Sequence, residues 1–188
     1  MSAKDAPALD RAALLAAFVE HHAKFVIVGG VAGQAYGATR VTKDLDLCPA
    51  WSAENLERVA AALRDLGARM KIGEGSIELL DVALDAKTLA NMEIVPWRTR
   101  AGDVDVLLGI PSTSRFELAR YEQLIVNATI VDVDGLHVAV ASLADIIRSK
   151  EIADRPKDRD ALQQLRAIER RYQQHKPDRE PPDLGHDL

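Results

Sequence analysis

Phe25 to Leu47 reads FVIVGGVAGQAYGATRVTKDLDL. The apolar run Phe25–Val28, rich in β-branched residues, has the composition of a short buried strand, and it stops at Gly29-Gly30. Gly30 to Tyr36 then reads as a short helix ending near Gly37. A second apolar run carries Asp44 and Asp46. Residues i and i+2 of a strand point to the same face, so Leu45 and Leu47 face inward and both acids project from the other side. Two carboxylates held that close raise each other's pKa unless a cation lies between them. The stretch therefore predicts strand, glycine turn, helix and strand, with a divalent-metal site facing a phosphate-binding turn.

Outward from this stretch the pattern is mixed α and β, without an internal repeat. Asp10 is placed to cap a helix to His22, with Leu14, Leu15, Phe18 and Val19 at helical spacing. Ser52 caps a helix through Leu66 that Gly67 stops. Ile77–Leu84 is strand-like, and Ala86–Met92 holds at most two helical turns. Ile94–Arg100 and Val104–Leu108 read as paired strands around Ala101-Gly102, and Phe116–Ile125 is amphipathic. Ile130–Val133 and His137–Val140 predict a hairpin about Asp134-Gly135. Ser142 caps a helix to about Asp154, and Asp158 or Asp160 starts another to about Gln174. The organisation expected is a core over 1–140, a helical segment over 141–175 packed on it, and a disordered Pro-rich tail over 176–188.

Composition narrows the function classes. The chain has 188 residues and a formal net charge of −5, which argues against general adsorption to nucleic acid. Arg148 to Arg179 is locally basic, with ten Lys/Arg against six Asp/Glu, which suits an enzyme handling a polyanion. Cys48 is the only cysteine, so internal disulfides and cysteine metal clusters are excluded; it reads as a small core residue. No apolar stretch approaches the roughly 18 residues of a membrane span, and no secretory signal pattern is present. The expectation is a cytoplasmic protein. The histidines show no metal-ligand or triad spacing, and Trp51 and Trp97 read as core or rim aromatics.

A two-metal site needs a third acid on a neighbouring strand. The run DVDVLL offers Asp103 and Asp105. Asp105, enclosed by Val104 and Val106, needs the stronger reason to be there; Asp103 reads as a turn residue. Asp105 is thus expected to ligate metal and to accept the proton of an attacking hydroxyl. Lys150 is a candidate to reach a nucleotide phosphate as a point charge. Arg155 and Lys157 flank a Pro-induced break between helices, and Asp158 is placed to cap the last helix and orient one of these cations. Gly29-Gly30 is neither a G-x-G-x-x-G fingerprint nor a Walker loop.

These residues resemble the DNA polymerase beta-like nucleotidyltransferase superfamily: Gly29-Gly30, then R-V-T-K-D-L-D-L over Arg40–Leu47, then G-D-V-D-V-L with Asp105. The segment from Ser142 through Lys150, Arg155, Lys157 and Asp158 looks like the end of the AbiEii branch, which includes toxins of the MenT kind. The resemblance covers about Phe25 to Leu165. It implies an α/β nucleotidyltransferase fold, a small mixed sheet flanked by helices with a helical C-terminal segment. It also implies NTP-dependent transfer of a nucleoside monophosphate to a hydroxyl, in the manner of a magnesium- and ATP-type transferase. Asp44, Asp46 and Asp105 would hold two Mg²⁺ ions; Gly29, Gly30, Arg40, Thr42 and Lys150 would bind the nucleotide. By branch, the acceptor would be RNA, such as a tRNA 3′ end, within a toxin–antitoxin system with a cognate antitoxin. Alternatives are a small molecule such as an aminoglycoside, a protein hydroxyl, or a non-catalytic nucleotide-binding module. Many superfamily members place Ser after the turn glycine; here Gly30 and Val31 follow Gly29, so a Ser contact to phosphate is lost.

Overall fold

The computed structural model describes residues 7–72 and 79–174. Chain order is α1 (Arg11–Glu20), β1 (Phe25–Val28), α2 (Gly29–Ala35), β2 (Asp44–Pro49), α3 (Ala53–Asp65), β3 (Arg69–Lys71), β4 (Leu79–Leu80), α4 (Ala86–Ala90), β5 (Ile94–Thr99), β6 (Gly102–Leu107), β7 (Ile110–Pro111), β8 (Leu118–Ala119), α5 (Tyr121–Asn127), β9 (Thr129–Val133), β10 (Leu136–Val140), α6 (Leu143–Ala153) and α7 (Pro156–Gln174). Eight strands form one mixed sheet in the order β4-β3-β5-β6-β2-β1-β10-β9, and β7-β8 pair separately. None of the described helices is long and apolar enough to cross a membrane.

Local chemistry sets the helix ends. Asp10, Ser52, Asp85 and Ser142 each accept a hydrogen bond from a first-turn N–H of α1, α3, α4 and α6, as N-caps do. Asp134 and Gly135 both have positive φ, 53° and 87°, the signature of the tight turn that joins right-twisted strands, here β9 and β10. α6 ends where Asp154 enters the left-handed region. α7 then begins at Pro156, ahead of both expected starts, Asp158 and Asp160, because proline's fixed φ suits a first helical position.

The inward faces of β2 and β6, Leu45, Leu47, Val104 and Val106, are buried, with α3 against β2 and α1 and α4 beside it. Trp97, opposite Val104 on β5, is also fully buried, so it belongs to the core and not to a pocket. Burial pushes the Cys48 thiol up to about 12, with Glu122 adding to the effect, which leaves it inert as a nucleophile.

Three expectations differ. The strand-like run over 77–84 reduces to Leu79–Leu80; its first two residues and the tail over 176–188 lie outside the described residues. The amphipathic run at Phe116 splits into β8 and α5, because the Arg120 N–H donates to the Gln123 side chain (2.9 Å) and fixes the helix start there. Val19, placed by periodicity on the apolar face of α1, is 40% exposed.

Candidate functional site

β2 and β6 run parallel, with Asp44 opposite Asp103 and Asp46 opposite Asp105. All four carboxylates therefore leave one face of the sheet, away from the buried valines and leucines. Asp44, Asp46 and Asp105 line a cavity of about 710 Å³. α2, α6 and α7 complete its lining, through residues that include Gly33, Ile146, Lys150 and Leu165. All eight residues expected at the site, Gly29, Gly30, Arg40, Thr42, Asp44, Asp46, Asp105 and Lys150, border this one space.

The glycine pair has a more specific task than a loose cradle. Gly29 has φ +66°, and a Cβ there would fall 1.9 Å from Asp46 Oδ2; one on Gly30 would fall 2.6 Å from Thr42 Oγ1. The Gly30 N–H donates to the Asp46 carboxylate, and Thr42 Oγ1 donates to Asp44 Oδ1 at 3.0 Å. The turn thus seats the acids, and at least one of its N–H groups is spent on Asp46. Gly29→Ala is expected to displace the Asp46 carboxylate and to cost about 1–2 kcal/mol for a left-handed non-glycine residue. Urea unfolding of that variant checks the cost.

Electrostatics mark the acids as cation-hungry. Burial, then the charges of Asp44 and Asp105, push Asp46 up to about 7 against the Gly30 hydrogen bond and the pull of Lys150. Burial, then Asp44, push Asp105 up to about 6. Asp105 Oδ1 is buried with no hydrogen-bond partner among the described residues. An orphaned carboxylate oxygen beside two further acids fits a hard cation that prefers oxygen. Among the described residues no three His, Cys, Asp or Glu side chains form a ready-made metal cage.

These shifts predict a pH response in metal-free protein. Asp46 and Asp105 hold protons in the fold up to about 7 and 6, whereas an unfolded Asp releases its proton near 3.9. The native state therefore binds more protons between roughly pH 4 and 7, and stability falls as pH rises through that window. The depressed carboxyls of Asp103 and Asp158 act at lower pH, where stability falls with acidification. With a chelator present, Tm should drop between pH 5 and pH 8. Added Mn²⁺ should raise Tm more at pH 8 than at pH 5, because binding no longer has to displace protons.

The α6–α7 part of the lining is basic. Asp158 is fully buried, and two cations converge on it. Lys150 Nζ lies 3.2 Å from Oδ1, and Arg155 Nε lies 2.6 Å from Oδ2. Of the two cations flanking the break, Asp158 thus holds Arg155, and it adds Lys150; it lies inside the first turn of α7 and does not cap it. Burial raises its carboxyl, but Arg155 and Lys150 outweigh this and hold it below the usual range. Arg40 donates to the Lys157 carbonyl, pinning the approach to β2 against the start of α7. Lys43, Arg115 and Lys157 also line the cavity. Arg115 reaches it from the β7–β8 hairpin, where its Nε donates to the Ile152 carbonyl at 3.1 Å; no local sequence pattern marked it.

Asp103, expected as a turn residue, is a strand residue in a partly buried ion cluster. Arg98 Nε and Nη2 approach its two oxygens at 2.9 and 3.1 Å, and Lys71 Nζ approaches at 2.8 Å. Asp103 does not line the cavity; Asp105 does.

No family model and no curated protein matches the chain. Among solved structures it is similar to ANT(2'')-Ia in complex with adenylyl-2''-tobramycin, with a TM-score of 0.52 at 17% identity over 87% of this chain and 94% of that one. The solution structure of the antibiotic-resistance factor ANT(2'')-Ia aligns with a TM-score of 0.47 at 19% identity, over 87% and 91% of the two chains. The mixed sheet, its flanking helices and the C-terminal helix are thus those of a nucleotidyltransferase fold.

Proposed function

We propose that this chain is a metal-dependent nucleotidyltransferase that moves a nucleoside monophosphate from an NTP to a hydroxyl. The observation that carries the reading is the register of Asp46 with Asp105 on parallel strands, facing Lys150 and Arg155 across one cavity. Asp44, Asp46 and Asp105 would hold Mg²⁺, which supplies charge neutralisation at the phosphates when bound. Lys150 and Arg155, fixed by Asp158, bind and orient the triphosphate. Asp105 takes the proton of the acceptor hydroxyl as its oxygen bonds to the α-phosphorus and the bond to the β-phosphate oxygen breaks, releasing pyrophosphate. Positioning and fixed charge do most of this work.

For the acceptor, the C-terminal resemblance favours an RNA 3′ hydroxyl, and with it a toxin restrained by an antitoxin. The lining supports an anionic acceptor over a cationic one. With Lys150 and Arg155 assigned to the triphosphate, Arg40, Lys43, Arg115 and Lys157 still border the cavity, against the carboxylates Asp44, Asp46, Asp105 and Asp158. Three of those acids are assigned to metal and the fourth is already paired with two cations, which leaves none for the ammonium groups of an aminoglycoside. A small-molecule acceptor is the second reading, because the same fold in ANT(2'')-Ia was solved with adenylyl-2''-tobramycin.

Each α-³²P-labelled NTP, incubated with the protein, Mg²⁺ and either total RNA, tobramycin or a protein extract, separates the readings. Label in RNA supports the first, label in tobramycin the second, and label in protein a protein-hydroxyl transferase. No label with any acceptor overturns transfer and leaves a nucleotide-binding module.

A further inference from the structure

The sheet face that bears the acids continues over β5 and β3. Pro96 stands opposite Asp105, and Arg98 opposite Asp103; Arg69 stands opposite Arg98, and Met70 opposite Trp97. One residue further along β3, Lys71 reaches the row of Pro96 and Asp105, and its parity with Arg69 puts it on the acids' face. It is close enough to lower the Asp105 carboxyl against burial and Asp44. Yet its Nζ lies 2.8 Å from Asp103 Oδ2, although the Asp105 Oδ1 lacks a hydrogen-bond partner among the described residues. Asp103 is also held by Arg98 in a two-point pair. The side chains of Lys71, Arg98 and Asp103 are 20%, 18% and 15% exposed, so the cluster is shielded from solvent, where salt and water would weaken it.

We propose, resting on the metal-binding reading of Asp105, that Asp103 is a positioning residue that holds Lys71 off Asp105 and so keeps that carboxylate open to the cation. A lysine with three donors on a four-carbon stem would otherwise close on the orphaned oxygen and compete with metal for it. Arg98 on the adjacent strand holds both oxygens of Asp103, so the anchor does not follow the lysine. The arrangement gives a role to an acid that does not itself line the cavity.

The test compares Asp103→Asn, Lys71→Met and the double variant, all read in folded protein by far-UV circular dichroism. Mn²⁺ binding is followed by electron paramagnetic resonance, and half-maximal Mg²⁺ for NTP labelling is measured in parallel. Asp103→Asn should weaken Mn²⁺ between about 10- and 100-fold, the range for an outer-shell partner of a metal ligand. Lys71→Met alone should bind like the wild type, and the double variant should recover to near wild type, because the competing cation is gone. Wild-type affinity in Asp103→Asn overturns the proposal. So does failure of the double variant to recover, which would show Asp103 acting only through the fold. If wild-type protein binds no Mn²⁺, the metal site falls and the anchor falls with it; normal wild-type binding with an unaffected Asp103→Asn removes the anchor alone.

Discussion

Asp46→Ala is expected to reduce NTP-dependent labelling of any acceptor by at least about a thousand-fold, since metal stabilisation of phosphoryl charge is worth several kcal/mol. Asp46 is the most enclosed of the three proposed ligands by its surroundings: it sits on Gly29, accepts from the Gly30 N–H and lies between Asp44 and Asp105. Removing it leaves the Gly30 N–H without its acceptor and takes one of three charges from the acid group. The variant should nevertheless fold, because a carboxyl raised to about 7 by burial and like charge destabilises the metal-free native state near neutral pH. Its Tm in chelator at pH 8 should therefore equal or exceed that of the wild type while its activity is lost. Full activity in Asp46→Ala would sink the metal assignment, and a large drop in Tm would mean that Asp46 is structural.

The parts of the site legible in the sequence are those whose geometry is local. Asp44 and Asp46 share a face because strand side chains alternate, and an abrupt glycine pair after Phe25–Val28 signals the turn that makes room for them. The choice of Asp105 over Asp103 rested on enclosure by Val104 and Val106, and the structure places only Asp105 on the cavity. The parallel pairing that sets Asp46 opposite Asp105 was not legible, because no pattern within either strand encodes a partner some sixty residues away in the chain. β3 escaped for a related reason: three residues are too few to show a period, so Lys71 and the true setting of Asp103 stayed hidden. In K-D-R-D the sequence offers Asp158 as a helix cap and a partner for one cation, whereas its burial comes only from the packing of α6 against α7.

Asp158→Ala carries the largest expected loss of stability, about 3 kcal/mol or more, because removing one partner from a buried ion pair leaves its counter-charges uncompensated. Asp158 is fully buried; the Lys150 side chain is 15% exposed and that of Arg155 58%. Arg155 can swing to water, whereas Lys150 cannot do so fully, and so most of the cost falls on Lys150. The same loss removes the anchor that aims both cations at the cavity, and kcat/KM for NTP should fall on the order of a hundredfold, the scale of an ångström-size misplacement. Stability and activity can then be separated. Lys150→Met with Asp158→Leu replaces the buried pair by apolar groups, which often restores stability, but leaves the triphosphate facing one mobile arginine. Urea unfolding should show the double variant near wild type, and labelling should show it as inactive as Asp158→Ala or more so. A double variant that regained activity along with stability would mean that Asp158 and Lys150 only hold α6 to α7, and the phosphate-binding wall would have to be sought at Arg40, Lys43 and Lys157.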